Sequence, residues 1–333
     1  MHGDAAAART GSTTLEGSAV MKAIVQHGYG RPSQVLSLDD VPPPAPGDHD
    51  ALIRVRAAGV NALDWHYVEG KPMIARAAMS RGEPKIRVRG VDVAGTVESV
   101  GKDVKSLRPG DEVFGWCAGA FAEFAAAPED HLVSKPSSLS FEEAAAVPVA
   151  AVTALQGLRD KGQLRTGHHV LINGAGGGVG TFAVQIAKAL GATVTAVSRN
   201  LDLMRSLHAD TVIDYTREDF TKGTIRYDVV FDNGGGHPIS AVRRTLKPGG
   251  ILVYNSGASM RRVAMAQLLS RLGQRVYMYL ANLNHEDLMV ITAFIEAGKV
   301  RPVVDCVYPL AETPAAVTYV ETGHARGKVV VTI

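Results

Sequence analysis

Residues 169–199, HVLINGAGGGVGTFAVQIAKALGATVTAVSR, decide the fold of this chain. The apolar run 170–172 leads into a glycine cluster. Beyond it Phe182, Val184, Ile186, Ala187 and Leu190 recur at helical spacing until Gly191 stops them. A second apolar run, 193–197, follows directly. Strand, tight turn, helix and strand within about 30 residues make one βαβ unit, whose glycines fall where a dinucleotide pyrophosphate meets a helix N-terminus. The register that sets the last glycine at the helix start is Ala175-x-Gly177-x-x-Gly180, with alanine in first place and Gly178 and Val179 inside it. The competing reading is a glycine-rich connection that binds nothing, and the strands on both sides favour the nucleotide.

The end of the second strand discriminates between cofactors. A carboxylate there suits the free ribose 2′-hydroxyl of NAD, whereas this chain carries Ser198-Arg199-Asn200. A guanidinium pairs bidentately with a 2′-phosphate that a carboxylate would repel, so the expected cofactor is NADPH. The bland alternative for Arg199 is a solvated loop charge.

The 333 residues are enough for two domains, and 46% of them are apolar. A formal net charge of +2, with no long basic run, gives no reason to expect nucleic acid. Cys117 and Cys306 supply neither a disulfide framework nor a four-cysteine zinc lobe, and are expected as thiols in a reducing cytoplasm. No window approaches a membrane span. Residues 1–20, rich in Ala, Gly, Ser and Thr, read as a disordered extension, with Met21 a candidate natural start.

From 21 to 148 the texture is β. Apolar runs at 51–57, 91–100, 112–115 and 121–127 are divided by Gly- and Pro-bearing turns, as in a barrel-like or sandwich-like domain. The basic insert 71–89 reads as a solvated loop or as a lid over an anionic ligand. Residues 141–158 are alanine-rich and helical, opened by a Ser140/Glu143 capping box and broken at Pro148. After the glycine unit, helix (201–207, 240–246) and strand (211–213, 227–232, 250–255) signals alternate, which argues a doubly wound parallel sheet. Asn233-Gly234 and Ser256-Gly257 fall just after strands, where small residues let a nicotinamide approach backbone. Segment 261–284 is basic and apolar together and reads as an inter-domain or subunit contact. One helix to Ala297 and a final strand from Lys328 complete the chain.

The stretches MKAIVQ, AAGVNALDWHYVEG, GVDVAGTVESVG, RPGDEVFG, GAFAEF, AAAVPVAAVTALQGL, VLINGAGGGVGTFAVQIAKALGA and GKVVV resemble, in order, the medium-chain dehydrogenase/reductases of the zinc-independent quinone oxidoreductase branch. The resemblance runs from Met21 to the C-terminus. It implies a GroES-like β-rich catalytic domain (21–148, completed by 285–333), a Rossmann NADPH-binding domain (149–284) and an active site in the cleft between them. It also implies a homodimer paired through the edge strand of the Rossmann sheet, expected near 251–254. Where zinc alcohol dehydrogenases carry metal ligands, this chain has Asn61, Val91 and Val149, so no metal is expected. Hydride transfer to an already activated acceptor, a quinone or an α,β-unsaturated carbonyl, is the chemistry left. By motif, Asn61 is expected to hydrogen-bond nicotinamide or substrate, His66 or Tyr67 to deliver the proton, Thr153 to touch the nicotinamide, and Tyr215 to lie near the 2′-phosphate or adenine; Asp64 reads as scaffolding. Two alternatives remain at this level: a 2-enoyl thioester reductase of lipid or polyketide metabolism, and a non-catalytic NADPH-binding protein.

Overall fold

In a computed structural model that describes residues 20–70, 87–255, 268–269 and 275–333, the chain builds two large sheets and a two-stranded ribbon. The ribbon pairs β1 (Met21–Gln26) with β2 (Leu36–Val41). The first large sheet draws on β3 (Asp50–Val60), β4 (Asp92–Val100), β5 (Glu112–Trp116), β6 (Phe124–Pro128) and β7 (Leu132–Ser134). The second contains β8 (His169–Asn173), β9 (Thr193–Val197), β10 (Thr211–Ile213), β11 (Tyr227–Asp232), β12 (Leu246–Tyr254) and β13 (Val276–Met278). The chain then returns to the first sheet through β14 (Val304–Pro309) and β15 (Lys328–Thr332).

The second sheet has the order β10-β9-β8-β11-β12-β13 with every pair parallel. Such a sheet must be covered on both faces, which is why β8 and β9 read as continuous apolar runs and not as alternations. The order reverses between β8 and β11, and the crevice beyond their carboxyl ends is where this architecture binds ligands. The glycine turn leads from β8 into helix Gly178–Ala189 at that crevice.

The edge of this sheet corrects one expectation. Residues 251–254 belong to β12, which lies between β11 and β13, so on that side the edge strand among the described residues is Val276–Met278. Strand β13 is only three residues long and follows a basic segment, so it carries little apolar signal of its own. Of segment 261–284, residues 268–269 and 275–284 are described. The extension before residue 20, most of the basic insert (71–86), Ser256 and Gly257 lie outside the described residues.

In the first sheet, order β14-β15-β3-β4-β5-β7, the long strand β3 pairs with β15, β4 and β6. Its outer half alternates buried and exposed residues, and from Ala57 to Val60 it is buried on both faces. The capping box forms as read: Ser140 Oγ accepts from the Glu143 N–H (3.1 Å) and the Glu143 carboxylate from the Ser140 N–H (2.9 Å). Helix Phe141–Ala145 ends before Pro148, and helix Pro148–Gln156 begins with that proline in its first turn, where a missing N–H costs nothing. One apolar core joins the two sheets, with Ala94, Phe114 and Trp116 from the first and Val170, Ile172 and Phe182 from the second unit in a single buried cluster.

Candidate functional site: a glycine turn facing a buried amide, carboxylate and ammonium

Gly177 is the N-cap of helix Gly178–Ala189. The N–H groups of Gly178, Val179 and Gly180 open that helix with no carbonyl four residues back, and with the positive end of the helix dipole they favour an anion. Gly174 has φ +75, and a Cβ there would lie 2.7 Å from the Gly234 N. A Cβ on Gly180 would run into the Gly174 carbonyl oxygen, so helix and strand pack too closely for any side chain. Gly177 has open space, its nearest neighbour being the Gly174 O at 3.7 Å. Ala175 is fully buried and its N–H donates to the Val197 O (3.1 Å), which ties the turn to β9.

At the end of β9, Ser198 is buried, its N–H donates to the Ile213 O (3.0 Å) and its Oγ accepts from the Asn200 N–H (3.1 Å). The Asn200 Oδ1 caps helix Leu201–Ser206 by accepting from the Leu203 N–H (3.2 Å). Arg199 is exposed, and Tyr215, just past β10, is 50% exposed; neither has a hydrogen-bond or ion partner among the described residues. Across the crevice, the Asn173 Nδ2 donates to the Asp232 Oδ1 (2.7 Å) and the Asn255 Nδ2 to the Asn233 Oδ1 (3.1 Å). Asn233 and Gly234 therefore lie beside the glycine turn. Thr153 is buried on helix Pro148–Gln156, and its carbonyl accepts from the Tyr279 hydroxyl.

The other wall is built around Asn61, the N-cap of helix Ala62–Glu69. Its Nδ2 donates to the Asp92 Oδ2 (2.9 Å), and its Oδ1 accepts from the Lys328 Nζ (2.6 Å). Lys328 also reaches the Asp92 Oδ2 (3.3 Å) and the Val60 O (3.2 Å), and Asp92 Oδ1 accepts from the Val149 N–H (2.9 Å). Lys328 is 2% exposed and Asp92 fully buried. A Cβ on Gly178 would meet the Lys328 Cδ at 3.1 Å, so the ammonium stem lies against the start of helix Gly178–Ala189. Asn61 retains one amide hydrogen. Neither Asp92 nor Lys328 was among the expected site residues, although each is a charge inside an apolar strand, which is the signal that marks them.

Burial pushes the Asp92 carboxyl up, opposed by Lys328 and by the hydrogen bonds from Asn61 and Val149. Asp64, which accepts from the Asn61 N–H (2.8 Å), is pushed by burial up to about 7. Burial lowers the pKa of the half-buried His66, whose Nδ1 has no hydrogen-bond partner among the described residues and whose ring lies 4.2 Å from that of Trp65. Tyr67 follows on the same helix with the Arg89 guanidinium over its ring at 5.8 Å.

A catalytic zinc takes about three protein ligands. Val91 and Val149 have no donor side chain, and the Asn61 amide is engaged by Asp92 and Lys328, so these residues do not fit that metal.

A parallel sheet with a glycine-opened helix, set against a GroES-like unit that faces it with hydrogen-bond donors, defines a two-unit dinucleotide-dependent oxidoreductase. Residues 47–137 match the model of the alcohol dehydrogenase GroES-like domain, and residues 207–331 that of zinc-binding dehydrogenase. The chain is 35% identical to a 2-methylene-furan-3-one reductase of Solanum lycopersicum, over 98% of this chain and 82% of the relative. It is 34% identical to a chloroplastic NADPH-dependent alkenal/one oxidoreductase of Arabidopsis thaliana, over 93% and 79%. The quinone oxidoreductase from Coxiella burnetii superposes with a TM-score of 0.84 at 32% identity, covering 95% of this chain and all of that one. The chain belongs to the medium-chain dehydrogenase/reductase superfamily, in its quinone and enone oxidoreductase branch.

Proposed function

We propose that the chain is an NADPH-dependent reductase of quinones or α,β-unsaturated carbonyls. The observation that carries this is the meeting of Asn61, Asp92 and Lys328 with the opening of helix Gly178–Ala189, which puts hydrogen-bond donors beside the dinucleotide turn in a wall without metal ligands. The residues present fit the cofactor. Gly177, Gly178, Val179 and Gly180 make a cradle for a pyrophosphate that a Cβ on Gly177 would obstruct, while Ser198, Arg199, Asn200 and Tyr215 border the adenosine end, with Arg199 free for the 2′-phosphate. The relative from Arabidopsis thaliana is named for NADPH and for alkenals and alkenones, and supports both halves of the proposal.

NADPH supplies the hydride when bound. Asn61 offers its remaining amide hydrogen to the oxygen on which charge develops, and Lys328 and Asp92 hold that amide in one orientation. His66, whose pKa burial lowers, is placed to deliver the proton, with Tyr67 as the competing donor. Thr153, Asn233 and Gly234 are proposed to border the nicotinamide. A cytoplasmic location is supported by two unbonded cysteines. A homodimer is supported by β13, which ends the parallel sheet among the described residues, and by Leu280 just beyond it, 84% exposed.

NADPH consumption with a simple quinone, an alkyl enone and a crotonyl thioester tests the assignment. Turnover of the first two is expected, and Asn61→Ala and His66→Phe should each lower kcat/KM by more than about threefold. Turnover of the thioester alone would assign the chain to enoyl thioester reduction. Tight NADPH binding with no turnover would leave a non-catalytic binder.

A further inference from the structure

Arg89 lies three residues before Asp92, in the wall that carries Asn61. Its backbone is locked, its N–H donating to the Ile24 O (3.2 Å) and its carbonyl accepting from the Phe121 N–H (2.8 Å). Its side chain is locked as well. Gln26 is fully buried, with its Nε2 donating to the Gly28 O (2.6 Å) and the Val68 O (3.1 Å), so its Oε1 points outward and accepts from the Arg89 Nε. The guanidinium lies 5.8 Å from the Tyr67 ring centroid. One face of the group is thus stacked and one N–H spent, while both terminal amino groups have no hydrogen-bond or ion partner among the described residues. Half burial pushes its pKa down, opposed by Asp64, Tyr29 and Tyr67. An arginine stays charged in such a place, and the cost of holding it there is recovered when an anion arrives.

The contact with Tyr67 relates the guanidinium to Asn61. Asn61 and Tyr67 are separated by six helical steps, about 9 Å along the axis of helix Ala62–Glu69. Resting on the assignment of the acceptor site to Asn61, we propose that Arg89 is a specificity-determining residue that selects acceptors carrying a carboxylate, a planar anion matched to its two terminal amino groups, at the end of the molecule remote from the electrophilic carbon. The guanidinium presents a preoriented fork to both carboxylate oxygens, whereas lysine would offer a point charge with no contact to Gln26.

The test compares an alkyl vinyl ketone bearing a carboxylate at the far end of a pentamethylene chain with its methyl ester, so that enone and length are held constant. In wild type the acid should exceed the ester in kcat/KM by about tenfold or more, as a charge-assisted bidentate pair requires. Arg89→Leu should erase that preference, leaving the ester rate and the NADPH Kd unchanged, and Arg89→Lys should restore only part of it. Equal rates for acid and ester in wild type, equal loss of both in Arg89→Leu, or weakened NADPH binding in Arg89→Leu would each overturn the proposal. Isothermal titration of the saturated keto acid gives a readout independent of turnover. Binding weakened about tenfold in Arg89→Leu supports the role of Arg89 even if no enone is reduced, and unchanged binding overturns it.

Discussion

At the residue scale, the site is a line of buried charges in which each member sets the state of the next. Lys328 compensates Asp92, both fix Asn61, and the Asn61 N–H is held by Asp64. Asp64 is therefore more than a cap, because it is fully buried in reach of Asp92, Lys328 and Arg89 and holds its proton up to about pH 7. The unfolded chain releases that proton near the usual carboxylate value, so the folded state binds more protons between the two pKa values and its stability falls as pH rises through that window. The full span corresponds to on the order of 4 kcal/mol at about 1.4 kcal/mol per unit. Asp64→Asn keeps an acceptor for the Asn61 N–H and removes the titration. Urea midpoints of wild type should thus drop between about pH 4 and 7 relative to the variant and level off above, and parallel pH profiles would refute the assignment. Much of this line was legible as motif, since Asn61, Asp64 and His66 fall in one short stretch. Lys328 was not, because it reaches Asp92 across 236 positions of sequence, and single-chain patterns report neighbours along the chain and not across a fold.

At the element scale, the glycine turn reads well from sequence because its constraints are local. Spacing, the strand before and the helix after are all within one βαβ unit. What spacing alone does not separate is which glycine serves the protein and which serves the ligand. Gly180 packs against the Gly174 carbonyl, whereas Gly177 faces open space. Gly180→Ala should therefore lower the Tm of the ligand-free protein and weaken NADPH at least about tenfold, by forcing strand and helix apart. Gly177→Ala should leave the ligand-free Tm near that of wild type, since its methyl group meets only the Gly174 O at an ordinary 3.7 Å, and, on the proposed cradle, weaken NADPH alone. Fluorescence titration and thermal melts of the two variants decide this, and equal Tm losses would contradict it. Elements with weak local signals were the ones lost. Strand β13 has three residues, β14 has a burial pattern with no clean alternation, and helix Thr313–Glu321 buries only Thr313, Ala316 and Val317. Each is placed by its partners, β12, β15 and the first sheet.

At the scale of the whole molecule, the chain leaves the first sheet, builds the parallel sheet and comes back, so that its last strand supplies both the neighbour of β3 and the ammonium at the cofactor helix. The units are tied at three further points: the Asp92 carboxylate accepts from the Val149 N–H (2.9 Å), Gln185 on the cofactor helix exchanges hydrogen bonds with the backbone of Arg301 (2.9 Å each way), and one apolar core contains residues of both sheets. Separating the units would expose that core and take the Val149 N–H from the Asp92 carboxylate. Local opening of one unit is then costlier than opening of both, and the chain should unfold in one cooperative calorimetric transition despite its length. NADPH at about one hundred times its Kd adds about 2.7 kcal/mol to the folded state and should raise that single transition as a whole by a few degrees. Two transitions, with only the one belonging to the parallel sheet moved by NADPH, would show that the shared core and the Lys328 contact do not couple the units.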